Sequence, residues 1–450
     1  MTTETIRTST PPQDAPPAPP AYFLSLTVEN FRCFGPAQTL DLSRGENRPA
    51  PWTIILGENG VGKTTLLQCL TAFQPEDYDG PDVDSWDVFP YYGASTDALA
   101  ALDLSASKRS HLKGGDAEFS CKFCVGNTLN VYKADAINVY LDVFAGGKQM
   151  SVTQENVKGL VCYGYGASRR MGKSSLSEQR TDDTTASLFS DDVDLINAEE
   201  WLLQADYAVS RSRNSARVAK RRDQVIDILK ALLPDVDGVR FSTSEEAISV
   251  VVEFQTPYGW VGLKDLSLGC RTLTTWMVDL ASRLFDRYPK SANPLAEPAV
   301  VLVDEIDLHL HPRWQRTLLR FLSERFPNTQ FIATAHSPLV VQAAEDANIV
   351  LLRREGDHVV IDNDVERIKN WRVDQILTSE LFGLESARPP QVSPALEERK
   401  RILAKARLTK ADEKRLAELE AQIGDLPTGE TPEDLQAMDI IRRAAALLKS

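Results

Sequence analysis

The octapeptide Gly57-Glu-Asn-Gly-Val-Gly-Lys63-Thr64 constrains this chain more than any other feature. It matches G-x-x-x-x-G-K-[ST], and its flanks are those the pattern needs: a short apolar run (52–56) before it and an amphipathic stretch after it. Glycines at these positions let backbone N–H groups turn inward around phosphate oxygens, and a following helix adds its positive end. Gly57, Glu58, Asn59, Gly60, Val61, Gly62, Lys63, Thr64 and Thr65 are therefore the expected phosphate cradle. Lys63 would reach the β- and γ-phosphates of a nucleotide, and the Thr64 hydroxyl would hold Mg²⁺.

A nucleotide site needs a second half, an apolar strand ending in an acid. Val300-Val-Leu-Val303-Asp304-Glu305 supplies it. Asp304 would coordinate Mg²⁺ through water, and Glu305 would polarise or deprotonate the attacking water. Asp304 lies 241 residues after Lys63. A compact AAA+ module would place its acids far closer, so a large segment is inserted between the two. Leu266-Ser267-Leu-Gly269-Cys270-Arg271 precedes the acids, and His336 follows them at the end of a third apolar run, 330–335.

Phosphate loop, LSxG segment, DE strand and lone His, in that order, resemble the ABC-type ATPase head in its SMC, RecF and OLD branch. The opening LSLTVENFRCFG (24–35) resembles the first strands of that branch, and DEIDLHLHPRWQ (304–315) its extended DE motif. The resemblance spans roughly residues 22–385. It implies an α/β P-loop NTPase of ABC-head type: a mixed sheet with an antiparallel β lobe, a helical insertion and a helical C-terminal tail. It also implies ATP and Mg²⁺ as cofactors and two subunits docked head to tail. Ser267 and Gly269 would then contact a γ-phosphate in trans, Asp307 would cross the dimer interface, and His336 would sense the γ-phosphate. Cys270 stands where the family has its second signature glycine. Tyr163-Gly-Tyr-Gly-Ala-Ser-Arg169-Arg170 resembles a segment common in the branch; its arginines suit either a phosphate or an ordinary surface.

Composition bounds the partners. Lys plus Arg is 50 against 64 Asp plus Glu, a net charge of −14, which excludes a uniformly basic nucleic-acid coat but not a local patch. Arg213, Arg217, Lys220 and Arg221 share a face of an expected helix and are the candidate DNA contact; a solvated or partner-facing helix surface reads the same way. No apolar run is long enough for a membrane span, the first residues lack a secretory apolar core, and six Cys imply no disulfide framework. A cytoplasmic, reduced compartment is the expectation.

The expected organisation is a Pro-rich disordered tail (1–21), an N-terminal lobe with the phosphate loop (22–160), a mainly helical insertion (161–235), a C-terminal lobe with signature, acid pair and switch His (236–390), and a helical tail (391–450). In that tail Leu416, Leu419, Ile423 and Leu426 follow 3-4-3 spacing, which suits a packed helical hairpin. Three weaker signals read as structural. Cys121-x-x-Cys124 lacks two further ligands with zinc spacing. Asp307, His309 and His311 belong to the extended DE motif. Asp362-Asn-Asp364 imitates a Toprim nuclease D-x-D, but too little chain follows for that domain.

The stretch 370–386 and the helical tail resemble the stand-alone ATPases of Septu-type and retron-linked antiphage systems, in which the ATPase is paired with a separately encoded nuclease. The resemblance implies an ATP-gated dimer that regulates such an effector. Two alternatives stand beside it: a RecF-like repair ATPase that clamps DNA, and an ATP-binding scaffold with little turnover. The presence of Glu305 weighs against the scaffold.

Overall fold

The computed structural model describes residues 19–45, 48–73, 118–125, 128–135, 139–145, 148–150, 159–173, 183–212, 215–244, 249–365, 371–384, 386–387, 392–405 and 409–423. Arg213, Leu426 and nearly all of the Pro-rich tail lie outside these residues.

The core is a six-stranded sheet in the order His358–Asp362, Asn348–Glu355, Trp52–Gly57, Thr329–Thr334, Ala299–Val303, Cys162–Tyr165. All neighbours run parallel except the first pair. Residues 52–56, 299–303 and 329–334 are buried throughout. Continuous burial without alternation is what a parallel sheet covered on both faces requires.

A second sheet is wholly antiparallel. Ala21–Glu29 pairs with Gln38–Asp41 on one side and Glu118–Val125 on the other, and the sheet continues through Thr128–Asp135, Val139–Ala145 and Lys148–Met150. Ala21–Glu29 alternates so that Phe23, Leu26 and Val28 face one shared core with Ile55, Val300, Leu302 and Ile332 of the parallel sheet. Leu66, Leu67 and Leu70 of the helix Lys63–Thr71 complete that core. The expected mixed sheet with an antiparallel β lobe is therefore the observed fold.

A three-stranded antiparallel sheet, Gly238–Ser244, Ser249–Thr256 and Gly259–Gly262, leads through a short turn, Leu263–Asp265, into the buried helix Leu268–Arg287. Two helices, Ala198–Arg211 and Ser215–Leu232, sit beside it, with Trp201 stacked on Phe285.

Two boundaries differ from the sequence reading. Cys162–Tyr165, placed at the start of the helical insertion, is the edge strand of the parallel sheet. The strand is only four residues long and two-sidedly buried, so it shows no alternation. The buried helix starts at Leu268 because the Ser267 side chain caps it by accepting from Cys270 N. Finally, the chain divides into compact units at Val373/Asp374 rather than near residue 390.

Within the second unit, Ser393–Leu403 and Lys410–Ile423 pair as a hairpin around Ala395, Ile402 and Leu419, with Leu416 and Ile423 packed alongside. Arg415 bonds Glu398 in a fork, both at 2.8 Å, and Lys405 pairs with Asp412.

Candidate nucleotide site

In a parallel sheet, ligands bind beyond the carboxyl ends of the strands. Three neighbouring strands end there with the residues singled out from sequence. Trp52–Gly57 runs into the phosphate loop, Thr329–Thr334 into His336, and Ala299–Val303 into Asp304 and Glu305. The middle strand bridges the outer two.

Gly57, Gly60 and Gly62 all have positive φ, at 145°, 79° and 92°. A Cβ on Gly57 would lie 2.7 Å from the Leu352 carbonyl oxygen, and one on Gly62 would lie 2.5 Å from Cys33 Sγ. Two of the glycines are therefore required by contact as well as by conformation. Lys63 is folded back over the loop: its Nζ donates to Gly57 O and Glu58 O, both at 2.8 Å. Burial pushes its ammonium below the ordinary lysine range, and Asp304, Glu305 and Asp307 oppose that shift. Glu58, Asn59 and Gly60 are exposed at the loop's crest, while Val61 and Thr65 are buried in its base.

The Thr64 hydroxyl donates to Asp304 Oδ2 at 2.7 Å. This contact joins residues 240 apart in sequence and closes the loop onto the acid strand. The other carboxylate oxygen, Oδ1, accepts from the Thr334 hydroxyl at 2.6 Å, and that hydroxyl accepts from Glu305 N at 2.7 Å. Thr334 thus orients both acids. Sequence reading passed over it, although it stands at the end of the strand leading to His336.

A hydroxyl beside a carboxylate is a donor set suited to a hard divalent cation. The glycine cradle, the folded-back lysine and this pair fit ATP with Mg²⁺. Thr64 and Asp304 would hold the cation, which when bound draws charge off the phosphate oxygens.

Glu305 has φ 47°, a left-handed backbone at a non-glycine residue. Its peptide is pinned from behind by Arg169, whose Nη1 donates to Asp304 O at 2.7 Å and Nη2 to Glu305 O at 2.9 Å. Burial pushes the Arg169 guanidinium down to about 10, against the opposing pull of Asp304, Asp307 and Glu305. Arg170, by contrast, is surface-exposed near Asp192 and Asp194. The two-arginine motif splits into one buried and one solvated residue, and no sequence signal separates them.

Asp307 accepts from His336 N at 3.2 and 3.1 Å, tying the acid segment to the switch segment within one chain. The His336 side chain is exposed at the rim. His311 accepts from Arg313 N as a helix cap. Ser267 is exposed, while Gly269 is buried with room for no side chain: a Cβ there would lie 2.3 Å from the His309 carbonyl oxygen. Ser267 and Gly269 make no hydrogen bond to the phosphate loop among the described residues.

The basic helix is committed internally in two places. Lys220 Nζ donates to Ala292 O and Arg221 Nη2 to Pro289 O, and Arg221 lies over the Phe285 ring. Asp362 pairs with Arg353, and Asn363 bonds both Asp41 N and Thr39 O, so the D-x-D imitation staples strands together.

A family model for an AAA domain matches residues 25–74, and a second AAA-domain model, described by the AbiEii toxin of a type IV TA system, matches residues 178–342. The Septu protein PtuA of Bacillus mycoides (strain KBAB4) is 26% identical over 357 residues, covering 78% of this chain and 43% of that protein. The Retron Ec83 probable ATPase of Escherichia coli is 28% identical over 246 residues, 54% of this chain and 42% of that one. The chain resembles the AAA-type ATPases of Septu and retron systems. It spans less than half the length of these curated relatives. Among solved structures, an Smc head bound to the C-winged helix domain of ScpA superposes with a TM-score of 0.42 at 15% identity, over 76% of this chain and 96% of that one. No helix among the described residues is long and apolar enough to cross a membrane.

Proposed function

We propose that this chain is an ATP-hydrolysing switch of antiphage defence that works as a head-to-tail dimer. The observation that carries the catalytic part is the 2.7 Å contact between Thr64 Oγ1 and Asp304 Oδ2, which assembles a phosphate loop and an acid pair into one site. Backbone N–H groups of residues 57–65 bind the phosphates, and Lys63 swings from the Gly57 and Glu58 carbonyls to phosphate oxygens. Glu305 takes a proton from the attacking water. His336, at the rim, meets the γ-phosphate.

The dimer supplies what one chain lacks. Ser267 is exposed at the N-terminus of a helix, where an anion is favoured. Across a head-to-tail interface it reaches the γ-phosphate of the other copy. Gly269 acts at one remove: it lets the helix start press against the His309 carbonyl, and so places Ser267. Closure driven by ATP regulates an effector only if open and closed states bind it differently. That effector is a separately encoded nuclease, a reading supported by the likeness to the Septu and retron proteins.

Glu305→Gln tests the chemistry. Its turnover should fall by roughly 100-fold or more, the usual weight of a general base, with ATP affinity retained. Equal turnover in the two proteins would remove Glu305 from the mechanism.

A further inference from the structure

Arg169 lies behind the acid pair rather than within it. It is 2% exposed and bonds main-chain carbonyls, not carboxylates. It therefore fixes the Asp304–Glu305 peptide and leaves both carboxylates available. Arg169 and Glu305 both have left-handed backbone, φ 37° and 47°. Such conformations persist only where the surroundings over-determine them. The guanidinium lies over the Trp276 ring, 5.5 Å from its centroid. Trp276 belongs to the helix Leu268–Arg287 that Ser267 caps. Arg169 Nε and Trp276 Nε1 are both buried with no hydrogen-bond partner among the described residues. Native proteins rarely leave such atoms unpaired, and each instance asks for a reason.

We infer that Arg169 is a positioning residue. It holds the Glu305 turn in the conformation that presents the base, and through Trp276 it ties that turn to the helix carrying Ser267. Docking of a second copy on Ser267 then reaches the base of the same chain along Ser267, Trp276, Arg169 and Glu305. This inference rests on the ATPase reading above.

The test measures kcat and the Mg-ATP dissociation constant for wild type, Glu305→Gln, Arg169→Lys, Trp276→Leu and the Arg169→Lys/Trp276→Leu double variant. Lysine keeps the charge, so it guards against the misfolding that Arg169→Ala invites. An ammonium lacks the planar two-nitrogen fork, so it cannot keep both carbonyl bonds from separate nitrogens and lie flat over Trp276 at once. Arg169→Lys should lower kcat about 10-fold or more, with ATP affinity changed less than about threefold, because only the transition state needs the base aimed. Trp276→Leu should lower kcat in the same manner, and the double variant should lose little beyond the larger single loss, as residues acting through one chain of contacts do. Wild-type kcat in Arg169→Lys overturns the inference. So do matched losses of kcat and affinity with a lowered melting temperature, since those mark mere structural support. If wild type turns over no faster than Glu305→Gln, the ATPase reading itself fails, whatever Arg169→Lys does.

Discussion

Gly62 offers the most quantitative check on the phosphate loop. Its φ is +92°, and an added Cβ would stand 2.5 Å from Cys33 Sγ and 3.0 Å from two Phe34 ring carbons. Gly62→Ala therefore pays twice. Forcing an L side chain into left-handed backbone costs about 1–2 kcal/mol. Overpacking a filled contact adds about 1–3 kcal/mol. The expected destabilisation is roughly 2–5 kcal/mol in urea unfolding followed by tryptophan fluorescence. Gly60 is the internal control: its φ is +79° with nothing within 4 Å of the added Cβ. Gly60→Ala should lose only the backbone part, about 1–2 kcal/mol. Cys33→Ala separates the two effects. In that background the increment from Gly62→Ala should shrink by about 1 kcal/mol, because neighbours in contact are not additive. The remainder is backbone and the Phe34 ring. If Gly62→Ala is no more damaging than Gly60→Ala, close packing is not what requires a glycine there; if Cys33→Ala leaves its increment unchanged, the Cys33 contact is not part of the requirement.

Other outcomes follow from the same geometry. Thr334→Val removes the hydroxyl shared by Asp304 and Glu305 and should cost about 1–3 kcal/mol of stability while lowering turnover, seen by calorimetry and phosphate release. Lys220→Ala and Arg221→Ala should each cost about 1 kcal/mol, since each cation caps a carbonyl; duplex DNA affinity that falls steeply with these changes instead would make the helix a nucleic-acid surface. Stability should decline on the alkaline side. Burial holds Cys69 up at about 12 against an ordinary 9.0, so its contribution is complete below pH 9 and is lost as pH rises towards 12. Cys69→Ala should flatten the slope of unfolding free energy against pH in that window by about 1.4 kcal/mol per unit, one proton's worth.

The phosphate loop and the acid pair were legible because each is local: a loop and a strand end carry their own chemistry within a few residues. The order of the signature, acids and His336 added the fold class. What stayed hidden depends on tertiary contact. Arg169 and Arg170 are adjacent and chemically identical, and only the placement of Trp276 and the Asp304–Glu305 peptide separates a buried clamp from a surface cation. Cys162–Tyr165 is too short and too buried to alternate, so the edge strand read as part of an insertion. Lys220 and Arg221 displayed a basic face, but the Pro289 and Ala292 carbonyls they cap are about 70 residues away in sequence. Thr334 was within a recognised strand; its role depends on Asp304 arriving beside it.

In the proposed dimer, ATP draws two copies together across Ser267. Light scattering on Glu305→Gln, with and without Mg-ATP, measures this most directly. Removal of the base traps ATP, so mass should rise on its addition, and a further Ser267→Arg change should abolish the rise. A mass that stays the same with saturating Mg-ATP, or a rise that survives Ser267→Arg, would contradict the head-to-tail account.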